Sequence, residues 1–163
     1  MILTITPPEE TALQAHLHKL RTQLHEDPEL SWQEHRTTRL VRRELEALCL
    51  EPVPLGLPTG TAALLRGALP GPTVGLRADL DALPITERTG AEFSSRVPGV
   101  MHACGHDIHM AALLGAARLL AARREQLAGN VLFLFQPAEE AATGAMQVLE
   151  QGLFRRVPMA GML

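Results

Sequence analysis

Ten consecutive residues, "MHACGHDIHM" from Met101 to Met110, hold three histidines, a cysteine and an aspartate. Cys104 and His106 are separated by one glycine. Thiolate and imidazole are good ligands for zinc and for nickel, cobalt or manganese. Gly105 lets the backbone turn tightly, so that both side chains can face one point. His106 and His109 are three apart and share a face if both are helical. Two further clusters could do chemistry with them. In "QPAEE", Glu139 and Glu140 are adjacent and cannot point the same way in a regular element. One could bind a metal while the other reaches the water that attacks the substrate. In "RADLDALP", Asp79 and Asp81 alternate at strand spacing, and one carboxylate could hold a ligand histidine in place. Each cluster also has a plainer reading. Cys104 could be a structural cysteine beside helix-capping groups, or a redox thiol activated by a helix N-terminus. The glutamates could be an acidic first turn of a helix. The aspartates could cap a loop beside Arg77.

The elements around the clusters favour a site. "ALQAHLHKLRTQLHEDPEL" places Leu13, Leu17, Leu20 and Leu24 on one helix face, ended by Pro28. A second helix carries Leu40, Val41, Leu45 and Leu48, with Ser31 as its expected N-cap and Glu34 completing a capping box. "EPVPLGLPTG" is punctuation. "TAALLRG" and "TVGLRAD" suit strands separated by a turn at "ALPGP". An irregular loop, "SSRVPGVMHACG", leads into a long Ala- and Leu-rich helix with Gly129 as its terminal glycine. "NVLFLFQ" is apolar throughout and suits a strand covered on both faces. "AEEAATGAMQVLEQGLF" has the look of a further helix. This order predicts an α/β sheet with helices on both faces. In open α/β sheets, sites form at the carboxyl ends of strands, and all three clusters fall after expected strands.

Composition excludes several function classes. The 163 residues carry a net charge of -3 and no long basic run, so no nucleic-acid partner is expected. No stretch approaches the roughly 20 apolar residues of a membrane helix. "MILTITPPEE" lacks the features of a signal or transit peptide. Two distant cysteines, Cys49 and Cys104, make no secreted disulfide framework, which points to a cytoplasmic protein. There is no tyrosine and aromatics are 3%, so a core of Leu, Val and Ala is expected.

The stretches "RTQLHEDPELSWQE", "TGTAALLRG", "GLRADLDALPI", "MHACGHDIHMAALLGAA" and "VLFLFQPAEE" occur in an order that resembles the metal-dependent amidohydrolases of the aminoacylase and carboxypeptidase superfamily. The branch containing hippurate hydrolase, indole-acetyl-amino-acid hydrolase and N-acetyl-diaminopimelate deacetylase is the most similar. The resemblance covers the chain from about Leu13 onward. It implies an α/β fold, a mixed sheet flanked by helices, forming part of the catalytic domain of a dinuclear-metal exopeptidase. It implies hydrolysis of the amide of an N-acyl amino acid or small peptide by a metal-activated water. Cys104, His106 and Glu140 would be metal ligands, Glu139 the general base, and Asp81 a holder of His106. Two divalent ions would be bound, as zinc, manganese, nickel or cobalt. Asp79 falls where other branches place a ligand histidine. His25, His102, Asp107 and His109 are not expected to be ligands.

Family members are more than twice as long. Residues 1–163 are therefore expected to be the N-terminal part of the catalytic domain, with no second domain and no lid. Further ligand histidines are expected beyond Leu163. On that basis, negligible hydrolysis by the chain alone is expected, together with self-association through uncovered sheet edges. The competing function is a catalytically inactive metal-binding or assembly module. "AEEAATGA" departs from the family in having less glycine after the glutamate pair.

Overall fold

A computed structural model describes residues 5–163. The reading of the extreme N-terminus rests partly on residues 1–4, which lie outside the described residues. Ten helices and strands are used below. They are α1 (Pro7–Glu26), α2 (His35–Ala47), β1 (Glu51–Val53), β2 (Thr61–Arg66), β3 (Leu69–Asp79), α3 (His106–Ala121), β4 (Ala128–Gln136), α4 (Gly144–Glu150), α5 (Leu153–Arg156) and β5 (Gly161–Met162). No helix among the described residues is long and apolar enough to cross a membrane.

The sheet is mixed, in the order β1-β2-β4-β3-β5. β4 is antiparallel to β2 and parallel to β3, with Asp79 opposite Gln136 at its carboxyl end. The continuous apolar run of β4 is explained by alternation. Val131, Phe133 and Phe135 enter one core with residues of α1, α2 and α3. Leu132 and Leu134 enter a second core with Leu55, Val148 and Leu153. β2 divides likewise, Ala63 and Leu65 to the first core and Ala62 and Leu64 to the second. The core is not aliphatic alone, because Phe133 and Phe135 are fully buried at its centre. Truncating either to alanine should cost about 3–5 kcal/mol. The apolar stripes of α1 and α2 face the first core as expected, through Leu20, Leu24, Leu40, Val41 and Leu45, with Leu17 and Leu48 packed against it.

Several local expectations are corrected. Ser31 and Glu34 do not cap α2. Glu34 stands at the N-cap position without a side-chain cap bond, and both side chains bond to distant segments instead. "ALPGP" is not a hairpin turn. β3 begins at Leu69 inside it, with an irregular register before Thr73, and β2 and β3 are separated by β4. α3 stops at Ala121, and a short 3-10 turn at Arg124–Gln126 leads into β4. Gly129 is therefore a strand residue. Its φ is +78°, and a Cβ there would sit 2.0 Å from the Pro72 carbonyl, so only glycine suits the crossing of β3 and β4. β1, hidden in the proline-rich punctuation, and the two-residue β5 carried no clear strand pattern. The final helix is two short ones, and Glu139 and Glu140 precede them in a turn.

Candidate metal centre

The parallel pairing of β3 and β4 brings their carboxyl ends to one edge. The chain leaves β3 through Leu80 to Asp81, and leaves β4 through Pro137 and Ala138 to the glutamate pair. α3 starts beside them. Gly105 adopts φ +79° at its N-cap, and His106 is its first residue.

Asp81 is almost fully buried. Its carboxylate accepts the backbone N–H of Glu139 at 3.1 Å and of Glu140 at 2.9 Å, and the hydroxyl of Ser31 at 2.6 Å. Its main-chain carbonyl lies 2.8 Å from His106 Nδ1. A carbonyl only accepts, so Nδ1 carries the hydrogen and the Nε2 lone pair of the neutral ring is left free. The carboxylate itself is 3.7 Å from Nδ1. Asp81 thus holds His106 mainly through its backbone, while its side chain shapes the glutamate turn.

Donor atoms of His106, Glu139 and Glu140 lie within 4.8 Å of one another, and His106 Nε2 is 4.0 Å from Glu139 Oε2. The two glutamates differ in burial. Glu140 Oε1 is enclosed and has no hydrogen-bond partner, whereas the Glu139 side chain is 41% exposed. An enclosed, unpartnered carboxylate oxygen, on a residue whose donor atoms meet those of an imidazole and a second carboxylate, suits a divalent cation. Cys104 lies beside this trio rather than within it, with its exposed thiol next to the Glu140 carboxylate. The pull of Glu140 on the thiol proton, slight burial and the negative charges of Glu140, Glu139 and Asp81 push the thiol above its ordinary 9.0. A redox role needs the opposite shift. Cys49 and Cys104 are both free.

The remaining candidates are placed elsewhere. Asp79 pairs with Arg77 at 2.9 Å. Asp107 is buried and receives Arg21 Nε and His25 Nδ1, each at 2.8 Å. His25 also reaches Glu87 through Nε2 at 3.1 Å, tying α1 to the loop before α3. His109 lies over His106 with ring centroids 6.0 Å apart. His102 is buried with neither ring nitrogen partnered. Burial above all, helped by His106 and His25 against the pull of Asp107 and Asp81, lowers it to about 4. Sequence reasoning missed Ser31 and Glu34 as neighbours of the glutamate turn. Their local pattern is also that of a helix cap, and the partners that claim them are 50 and 104 residues away.

The model of peptidase family M20/M25/M40 matches residues 75–162, more than half of the chain. The chain is 49% identical over 149 residues to an N-acetylcysteine deacetylase of Bacillus subtilis, covering 91% of this chain and 39% of that protein. It is 48% identical over 139 residues to IAA-amino acid hydrolase ILR1-like 6 of Arabidopsis thaliana, covering 85% of this chain and 30% of that protein. The fold matches the Bacillus subtilis YXEP protein, a dinuclear metal binding peptidase from the M20 family. The TM-score is 0.87 at 49% identity, over 91% of this chain and 42% of that one. The chain therefore spans less than half the length of these relatives. With most of its sequence in the family match and its fold superposing on a solved member, this chain belongs to peptidase family M20/M25/M40.

Proposed function

We propose that the chain supplies part of the metal centre of a longer hydrolase that cleaves the amide bond of N-acyl amino acids. The observation that carries this reading is the meeting of His106, Glu139 and Glu140, with Glu140 Oε1 enclosed and unpartnered. Cys104, His106 and Glu140 would hold metal. Their mixed sulfur, nitrogen and oxygen donors suit zinc, manganese, nickel or cobalt. The dinuclear YXEP relative supports two ions for the whole enzyme. A bound divalent ion would polarise the scissile carbonyl and make the attacking water more acidic.

The protein's own groups do the rest. Glu139, the more exposed carboxylate, takes a proton from the water as its oxygen adds to the carbonyl carbon. It returns that proton to the amine nitrogen as the C–N bond breaks. Asp81 keeps both glutamate amides and the His106 ring in place. The names of the deacetylase and IAA-amino acid hydrolase relatives support a small acyl-amino acid as substrate. Self-association belongs to the same proposal, since Val74, Met146, Leu149 and Leu163 are exposed apolar side chains. Free cysteines suit a reducing, cytoplasmic setting.

The test is elemental metal content of the purified chain beside Cys104→Ser and His106→Ala. Bound metal that falls in both variants is expected, with little hydrolysis of N-acetylcysteine or hippurate by the chain alone. Equal metal in all three proteins, or none in the wild type, would overturn the ligand assignment. Robust turnover lost in Glu139→Gln would establish that the chain alone is a working enzyme.

A further inference from the structure

Glu34 is a carboxylate with no solvent exposure, and it forms no ion pair among the described residues. Burying a carboxylate without a cation is costly, so what it bonds to matters. It accepts the Thr59 hydroxyl at 2.7 Å and the backbone N–H of Ala138 at 2.8 Å. Ala138 is the residue before the glutamate pair. It is fully buried and held at φ +51°, a left-handed conformation that alanine rarely adopts. Three consecutive amides, those of Ala138, Glu139 and Glu140, thus point at two buried carboxylates, Glu34 and Asp81. The bend at Ala138 comes immediately before the glutamate pair and so turns both residues together out of the line of β4.

We infer that Glu34 is a positioning residue for the glutamate turn. Its carboxylate draws the Ala138 N–H inward and holds the left-handed bend that aims Glu139 and Glu140 at His106. Thr59 fixes the Glu34 carboxylate from the opposite side, so α2, the segment before β2 and the glutamate turn are joined at one point. The effect on metal binding rests on the function proposed above. The effect on the turn does not.

The test uses Glu34→Ala and Glu34→Gln in the full chain, with two readouts. The first is hydrogen exchange of the peptide covering residues 137–143, compared with residues 131–136 of β4. The second is Co2+ affinity, followed by visible absorption. In Glu34→Ala, exchange across 137–143 should rise at least tenfold while 131–136 changes less than twofold, and Co2+ affinity should fall at least tenfold. Glu34→Gln, whose amide oxygen still accepts the Ala138 N–H, should restore both to within threefold. Unchanged exchange across 137–143 in Glu34→Ala would overturn the inference. So would an equal rise throughout β4, since that marks a role in overall stability only. If Glu34→Ala does not fold, Thr59→Val decides, with at least a threefold rise in 137–143 exchange expected and no change counting against the inference. If the wild type fails to bind Co2+, the metal-centre reading falls, while the exchange data still decide the role of Glu34.

Discussion

The Glu87 carboxylate should carry a measurable share of the stability at neutral pH. It joins the loop before α3 to His25 of α1, and through His25 to Asp107 of α3. Its side chain is 5% exposed. Burial alone would raise its pKa. The Ser95 amide, the Thr89 hydroxyl and His25 outweigh that and lower it from an ordinary 4.5 to about 2. The ionised form is therefore the one the fold prefers. Its stabilisation is fully present above the unfolded value and is lost as pH falls through the folded one, between about pH 5 and pH 2. At about 1.4 kcal/mol per pH unit, it is worth about 3 kcal/mol at pH 7. Glu87→Gln removes this titration while keeping the shape. Urea denaturation of both proteins from pH 7 to pH 3 measures it. The wild type should be about 3 kcal/mol more stable at pH 7, and that gap should shrink to less than half at pH 3. Titrating groups that do not touch Glu87 act on both proteins and cancel in the difference. Parallel stability curves, with the gap unchanged at low pH, would refute the reasoning.

Further outcomes follow from single contacts. His102, lowered to about 4 by burial, should show a neutral imidazole by NMR at pH 6. Because the unfolded chain takes up that proton first, stability should decline as pH drops from 6.5 towards 4, and His102→Gln should flatten the decline. A midpoint at or above 6 would contradict this. The Cys104 thiol is held protonated chiefly by Glu140, so Glu140→Gln in chelator-treated protein should speed its alkylation severalfold at pH 8. An unchanged rate would show that the carboxylate does not govern the thiol. Gly144→Ala would place a Cβ 1.7 Å from the Pro137 carbonyl oxygen, at the far end of the glutamate turn. A loss of about 2–4 kcal/mol in unfolding free energy is expected, read from urea denaturation. Wild-type stability would mean that the turn opens at little cost.

Regular periodicity made the helical stripes and the β4 run legible, because burial on one or both faces leaves a direct mark on residue type. The meeting of His106, Glu139 and Glu140 was legible from their residue types and from the strands they follow. Its supports were not, for three physical reasons. Asp81 grips His106 through a main-chain carbonyl, which residue identity does not encode. Ser31 and Glu34 fit a local capping pattern, and long-range partners override it. Ala138 and Ala142 both take positive φ, at +51° and +54°, although alanine carries no turn signal. At both positions the backbone takes a conformation that glycine would adopt more easily. The expected helix ran past Ala121 because Ala, Leu and Arg favour helix there, while the chain turns through a short 3-10 segment into β4.

The strand order carries a consequence for the time course of folding. β2 and β3 are separated by two residues in the chain, yet they leave a gap that β4 fills from some sixty positions later. Until β4 has been synthesised, both strands present unpaired edges, and the two halves of the apolar core have no common wall. Such non-local closure is slow compared with helix formation. An emerging chain is then most prone to aggregate between completion of β3 and arrival of β4. The same insertion sets the glutamate turn beside Asp81, so the meeting of His106, Glu139 and Glu140 depends on the same pairing that completes the centre of the sheet.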